Sequence, residues 1–220
     1  MYVVVVGGGR VGEHLVDLLI KDGHSVVIIE KDPMRAKYLA ETYDVLVING
    51  DGAEAKFLED ANIRRADALV AASGNDHTNL VACQLAKNTY SVKRVVARVS
   101  NPVNKPLYEK LGVDMVVSTT ETAAYALFGG VKGYHGLMVL GGVAQVVEIA
   151  ITQESPVAKL PLSEIHLPWG SFIVGIYKKG ELYQPREDLI LEPGDHVLLL
   201  LKIGLDHKLQ RIFFGRKAEE

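Results

Sequence analysis

The sequence predicts an α/β fold: a doubly wound parallel sheet over residues 1–118, a connecting helix and glycine joint over 119–135, and a small α+β domain over 136–220. Three observations carry this. Six short, continuously apolar segments occupy the first half, the sequence between them carries repeated helix-start signals, and a glycine motif sits between the first strand and the first helix. Continuous rather than alternating hydrophobicity marks strands buried on both faces, as in a parallel sheet covered by helices. Strand, crossover helix, strand is the unit of a Rossmann-like domain.

Taken in order, Val3–Val6, Val26–Ile29, Val45–Ile48, Ala68–Ala72, Val95–Val99 and Met115–Val117 are the expected strands. Gly7-Gly8-Gly9-Arg10-Val11-Gly12 follows the first of them, and Leu15, Leu18 and Leu19 give the next segment an apolar helical face. This is G-x-G-x-x-G in the setting that gives it meaning. Gly7 makes the tight turn, Gly9 lets backbone N–H groups approach a pyrophosphate, and Gly12 permits close helix–strand packing. Asp32-Pro33 and Asn101-Pro102 place a capping residue before a proline at the first helical position. Asp51–Glu54 and Ser118–Glu121 have capping-box spacing.

After a helix at Thr120–Phe128 the pattern changes. Gly129-Gly130 and Lys132-Gly133-Tyr134-His135-Gly136 read as a joint. Val143, Val147, Ile149 and Ile151 then alternate as in a strand, and Ile173–Tyr177, the turn Lys178-Lys179-Gly180 and Glu181-Leu182-Tyr183 form a hairpin. A turn at Glu192-Pro193-Gly194-Asp195, a strand at His196–Leu201 and a helix at Leu205–Phe214 close the chain.

Composition bounds the function. A net charge of -3 leaves no basic footprint for nucleic acid or an anionic membrane surface. The longest apolar runs, such as Val197–Leu201, are too short to span a bilayer, and the N-terminus begins directly in a strand without a basic leader. A soluble cytosolic protein is expected. Cys83 is the only cysteine, which excludes a disulfide framework within one chain, and its helical neighbours Leu80, Val81 and Leu85 make it a core residue. His14, His24, His77, His135, His166, His196 and His207 are scattered, with no metal-ligand spacing. No P-loop is present.

The candidate site gathers at strand ends. Glu30 closes the second strand about 20 residues beyond the glycine motif, where a carboxylate accepts hydrogen bonds from ribose hydroxyls and repels a 2′-phosphate. Lys31 and Arg35 nearby soften that repulsion. Gly50 and Asp51 end the third strand, and Asp51 serves as a helix cap, an adenine contact, or both. Ser73, Gly74 and Asn75 follow the fourth strand with Asn79 one turn on, and small residues there leave room for a cofactor. Arg98 lies inside an apolar run and needs a partner, either a phosphate in the crevice or an acidic side chain. Arg10 and Val11 complete the glycine loop, with Arg10 directed at phosphates or at solvent. A dehydrogenase needs a general acid or base beside its nicotinamide. The strand-rich remainder offers none, so the nucleotide reads as a regulatory ligand of a non-enzyme.

Together these residues resemble the regulatory subunits of Trk/Ktr potassium uptake systems, built from the potassium-conductance-regulating (RCK, or TrkA-type) domain. The likeness rests on Gly7–Gly12, Glu30, Asn49-Gly50-Asp51, Ala72–Asp76 with Asn79, and Arg98–Pro102 in the first half. In the second half it rests on Pro161–Ile165, Ile173–Tyr177 with Lys179-Gly180, Pro185, and Leu191–Asp195. The resemblance implies a TrkA-N-like domain followed by a TrkA-C-like regulatory and dimerisation domain. It implies an adenine nucleotide (NAD/NADH, ATP, ADP or AMP) whose phosphates lie on the glycine loop and Arg10, whose ribose meets Glu30, and whose adenine lies near Gly50 and Asp51. Ser73, Asn75 and Arg98 would line the rest of the crevice. It further implies dimers assembling into a ring, joined through the helix at Thr120–Phe128, and a separate membrane protein that translocates potassium. The subunit would then lie peripherally at the inner face of the cell membrane. An NAD-dependent oxidoreductase, or a nucleotide sensor serving another transporter, are the alternative functions.

Overall fold

In the computed structural model, which describes residues 1–139, 143–202 and 204–215, every apolar segment of the first half becomes a strand of one parallel sheet. These are β1 (Tyr2–Val6), β2 (Ser25–Glu30), β3 (Leu46–Asn49), β4 (Ala68–Ala71), β5 (Arg94–Val99) and β6 (Met115–Ser118), in the order β3-β2-β1-β4-β5-β6. β1 lies at the centre, with Val3 opposite both Val26 and Ala68. Its alternate residues enter different cores. Val3 and Val5 pack with Val16 and Leu39, and Val4 and Val6 with Leu58, Cys83 and Tyr108. The helices α1 (Arg10–Lys21) and α2 (Pro33–Thr42) thus cover one face of the sheet. The other face is covered by α3 (Ala55–Asp60), α4 (Asp76–Gln84) and α5 (Lys105–Lys110). The order reverses between β1 and β4, and that switch point fixes where a ligand crevice opens.

Helix caps explain most of the boundaries. Asp32 accepts from the backbone N–H of Met34 and Arg35, Asn75 from Thr78, and Asn101 from Val103. Ser118 Oγ accepts from Glu121 N–H at 3.2 Å at the start of α6 (Thr119–Lys132). The capping box expected at Asp51–Glu54 does not form. The N-cap of α3 is Glu54, without a side-chain bond, and Asp51 instead turns back on its own loop by accepting from Ala53 N–H at 3.0 Å. Lys31 draws the other oxygen of Asp51 at 2.8 Å, which favours the loop geometry over the helical one.

Two compact units, Met1–Glu121 and Thr122–Glu220, divide the chain. In the second, β7 (His135–Val139), β8 (Ala144–Ala150), β9 (Ser171–Lys178), β10 (Glu181–Tyr183) and β11 (His196–Lys202) form an antiparallel sheet ordered β10-β9-β11-β8-β7. Val197, Leu199 and Leu201 of the central β11 pack with Ile149, Ile176, Leu209 and Phe213, the last two from α7 (Asp206–Phe214). The β9–β10 hairpin turns on Lys179 and Gly180 at φ of 52° and 89°, the left-handed pair of a two-residue turn.

The joint differs from its expectation. Gly129 and Gly130 continue α6, and the helix stops at Gly133, whose φ is +88°. Gly133 N–H donates to Gly130 and Tyr134 N–H to Gly129, the paired bonds of a left-handed helix cap. A glycine that only lacks a side chain is tolerated in a helix, whereas one in the left-handed region ends it. The next residues, assigned to the joint by composition, include the start of β7, where the register sets His135 opposite Glu148.

Gly7 adopts φ +95°, and a Cβ there would stand 2.6 Å from the Ser73 backbone. Gly7→Ala should therefore destabilise the chain by roughly 2–4 kcal/mol, combining backbone strain with overpacking. Urea unfolding at fixed protein concentration measures this, and a loss below about 0.5 kcal/mol, the range of an ordinary surface substitution, would contradict it.

Candidate functional site

A cavity of about 320 Å³ opens at the carboxyl ends of β1 to β4. Each strand delivers its terminal residues to it: Val6 and Gly7 from β1, Glu30 and Lys31 from β2, Gly50 and Asp51 from β3, and Ser73, Gly74 and Asn75 after β4. These eight sequence-derived candidates, Gly7 to Asn75, line one wall-to-wall space. Gly52 and Thr78, which the sequence reading did not single out, also line it. The position of Gly52 follows from packing, since a Cβ there would lie 2.2 Å from Val6 Cγ1. Thr78 carries a sequence signal only in retrospect, three residues after the cap Asn75.

Gly9, Arg10, Val11 and Gly12 stand beside this cavity, outside its lining. Gly12 is buried, and its Cβ would fall 1.9 Å from the Gly7 carbonyl oxygen, so helix α1 meets the turn at backbone contact. Gly9 is the N-cap of α1 and supplies no side-chain bond to the first turn. A Cβ at Gly9 would meet nothing within 4 Å. The open space and uncapped N–H groups make the start of α1 fit an anion.

Glu30 is fixed from two sides. Gly8 N–H donates to Oε2 at 2.5 Å and Asp32 N–H to Oε1 at 2.8 Å. A carboxylate has lone pairs for more than two donors, so hydroxyl groups of a sugar remain acceptable partners. Lys31 pairs with Asp51 across the cavity wall at 2.8 Å. The bond from Lys31, then that from Ala53 N–H, holds the Asp51 carboxyl below its usual range, and the same pairing raises Lys31.

The β4 turn is built on a buried amide. Asn79 Oδ1 accepts from Ser73 N–H at 3.0 Å and Ser73 Oγ at 2.7 Å, and its Nδ2 donates to the carbonyls of Ser73 and Arg98 at 3.0 Å each. Asp76 ties the same region to the end of β5 by accepting from Ser100 N–H, Asn101 N–H and Asn104 Nδ2. Arg98 is half-buried outside the cavity lining and donates from Nε to Thr119 Oγ1 at 3.1 Å. Its partner in the fold is a hydroxyl, a third choice beside the phosphate and the carboxylate considered from sequence. Cys83 is buried in the core and its thiol is pushed up to about 12, chiefly by burial.

Chemically the cavity offers hydrogen-bond donors, one positioned carboxylate and one ion pair. Its lining contains no His, Cys or Tyr. Of the two lining carboxylates, Glu30 is held by backbone N–H groups and Asp51 by Lys31 and the Ala53 N–H.

Residues 3–119 match the family model of the TrkA-N domain and residues 146–213 that of the TrkA-C domain. The chain belongs to the TrkA-N family. A Trk system potassium uptake protein TrkA homolog of Methanothermobacter thermautotrophicus is 40% identical over 218 residues, covering 98% of this chain and 100% of the relative. Among solved structures, the GsuK channel bound to NAD aligns with a TM-score of 0.70 over 100% of this chain, at 20% identity, a likeness of fold. This chain spans 40% of that one. The Shewanella denitrificans Kef CTD in AMP bound form aligns at 28% identity and a TM-score of 0.52, covering 58% of this TrkA-N family chain and 77% of its own. No helix among the described residues is long and apolar enough to cross a membrane.

Burial pushes the Asp76 carboxyl up, but its two backbone donors and Asn104 outweigh this and hold it below the usual value of 3.8. A carboxyl depressed by folding stabilises the fold above its unfolded value and loses that contribution as pH falls through its folded value. Asp76→Asn should therefore flatten the acid limb of stability, measured by urea unfolding between about pH 5 and pH 2.5. An acid limb identical to that of the unaltered chain would contradict the assignment.

Proposed function

We propose that this chain is an adenine-nucleotide-binding regulatory subunit of a potassium uptake system, working in the cytosol beneath a separate potassium-translocating membrane protein. The observation that carries this reading is the uncapped start of α1 beside Glu30 at the β1–β4 switch point. Nucleotide phosphates would rest on the N–H groups of Gly9, Arg10 and Val11, where the helix adds partial positive charge. Ribose hydroxyls would donate to Glu30, and the base would lie along Gly50, Asp51 and Gly52. Ser73, Gly74 and Asn75 would close the opposite wall. The potassium-uptake names of full-length relatives and the AMP and NAD of the structural neighbours support this.

A ligand shifts a conformational equilibrium only by binding its states unequally. Regulation thus needs more than one copy or conformation. Helix α6 leaves Leu127 and Val131 exposed at 73% and 82%, beside the half-exposed Phe128 and Tyr125. In this reading that face seats a second copy, and pairs of subunits assemble under the pore. Leu127→Asp should convert the dimer to a monomer in size-exclusion chromatography with light scattering. An unchanged mass would remove α6 from the interface.

The test of nucleotide binding is calorimetric titration with AMP, ADP, ATP and NAD. At least one should bind, and Glu30→Ala should weaken it about tenfold to a hundredfold, the worth of hydrogen bonds to a charged acceptor. No substrate-dependent NADH turnover is expected. Absence of binding by all four nucleotides would overturn the reading.

A further inference from the structure

Two cations stand near the ribose corner of the cavity, and both are engaged. Lys31 is paired with Asp51. Arg35, in the first turn of α2, donates from Nε to the Gly8 carbonyl at 2.8 Å and from its terminal nitrogen to Glu13, and its guanidinium lies 4.9 Å from the centre of the Tyr38 ring. The Gly8 peptide is consequently held on both sides, its N–H by Glu30 and its carbonyl by Arg35. Arg35 does not line the cavity. The Arg35 and Glu13 side chains are 30% and 22% exposed, so solvent screens this pair less than a surface one.

A 2′-phosphate on the ribose would bring about 1.5 to 2 negative charges against Glu30. Sites that accept such a group supply an arginine close by. Here the Arg35 guanidinium is drawn back onto the loop carbonyl of Gly8. We infer that Glu13 is a specificity-determining positioning residue: it holds Arg35 on Gly8, so that the site accepts only nucleotides whose ribose 2′-hydroxyl is unphosphorylated. Glu30 provides the repulsion, and Glu13 withholds the cation that would relieve it. This rests on the nucleotide reading above and adds a residue outside the cavity to its selectivity.

Calorimetry with AMP and adenosine 2′,5′-bisphosphate tests it on the full chain. The unaltered protein should prefer AMP. Glu13→Gln should raise affinity for the bisphosphate relative to AMP by at least about tenfold, the scale of a charge-assisted bond. The double variant Glu13→Gln/Arg35→Met should abolish that gain, because the gain belongs to Arg35. An unchanged ratio in Glu13→Gln with AMP binding intact would overturn the inference, as would an equal gain in the double variant, which would reflect charge removal alone. If Glu13→Gln melts below the assay temperature, Arg35→Met alone decides: its ratio should match the unaltered chain, and a further loss of bisphosphate binding would show that Arg35 already reaches the 2′ position. Failure of the unaltered chain to bind AMP or the bisphosphate would instead overturn the nucleotide reading, and this inference with it.

Discussion

The structure of the first unit depends on one backbone approach, the left-handed turn of Gly7 against the start of the β4 turn at Ser73. That contact lets β1 and β4 run side by side to their ends, and Gly12 then seats α1 directly on the Gly7 carbonyl. With α1 placed there, its first turn begins beside the cavity, where the strand order reverses. A side chain at either glycine would push the helix away from the sheet. The anion-ready end of α1 is thus a consequence of packing at atomic contact.

Polar groups then hold the surrounding loops in place. Asn79, fully buried, satisfies four partners and joins the β4 turn to β5. Glu30 and Arg35 grip opposite sides of the Gly8 peptide. Among the described residues no buried side-chain polar atom lacks a partner. Such networks rigidify a site because each member would be costly to leave unmade. The loops that line the cavity are therefore tied down by paired polar groups.

Much of this was legible in sequence because it rests on backbone rules. Continuous valine runs, proline after a capping residue and glycine at fixed spacing each have one physical meaning, and β1 to β6 follow within a residue or two. The side-chain choices were less legible. Asp51 satisfied the capping-box spacing, yet its pairing with Lys31, twenty residues away, decided its geometry. Arg98 showed that it needs a partner without showing which, since Thr119 comes close only through the fold. Gly129 and Gly130 read as a joint by composition, whereas only Gly133 takes the conformation that stops a helix. Nothing in the sequence marked Glu13, because only the fold brings Arg35 against it.

In the proposed function the glycine turn and Glu30 form the cradle of a regulatory adenine nucleotide. Amide hydrogen exchange with and without AMP tests it most directly, because it reads the backbone N–H groups that would hold the phosphates. Exchange should slow at Gly9–Glu13, with accompanying protection at Glu30–Asp32 and Gly50–Ala53. Unchanged exchange across all three segments at saturating AMP, or protection confined to residues beyond Thr122, would contradict it.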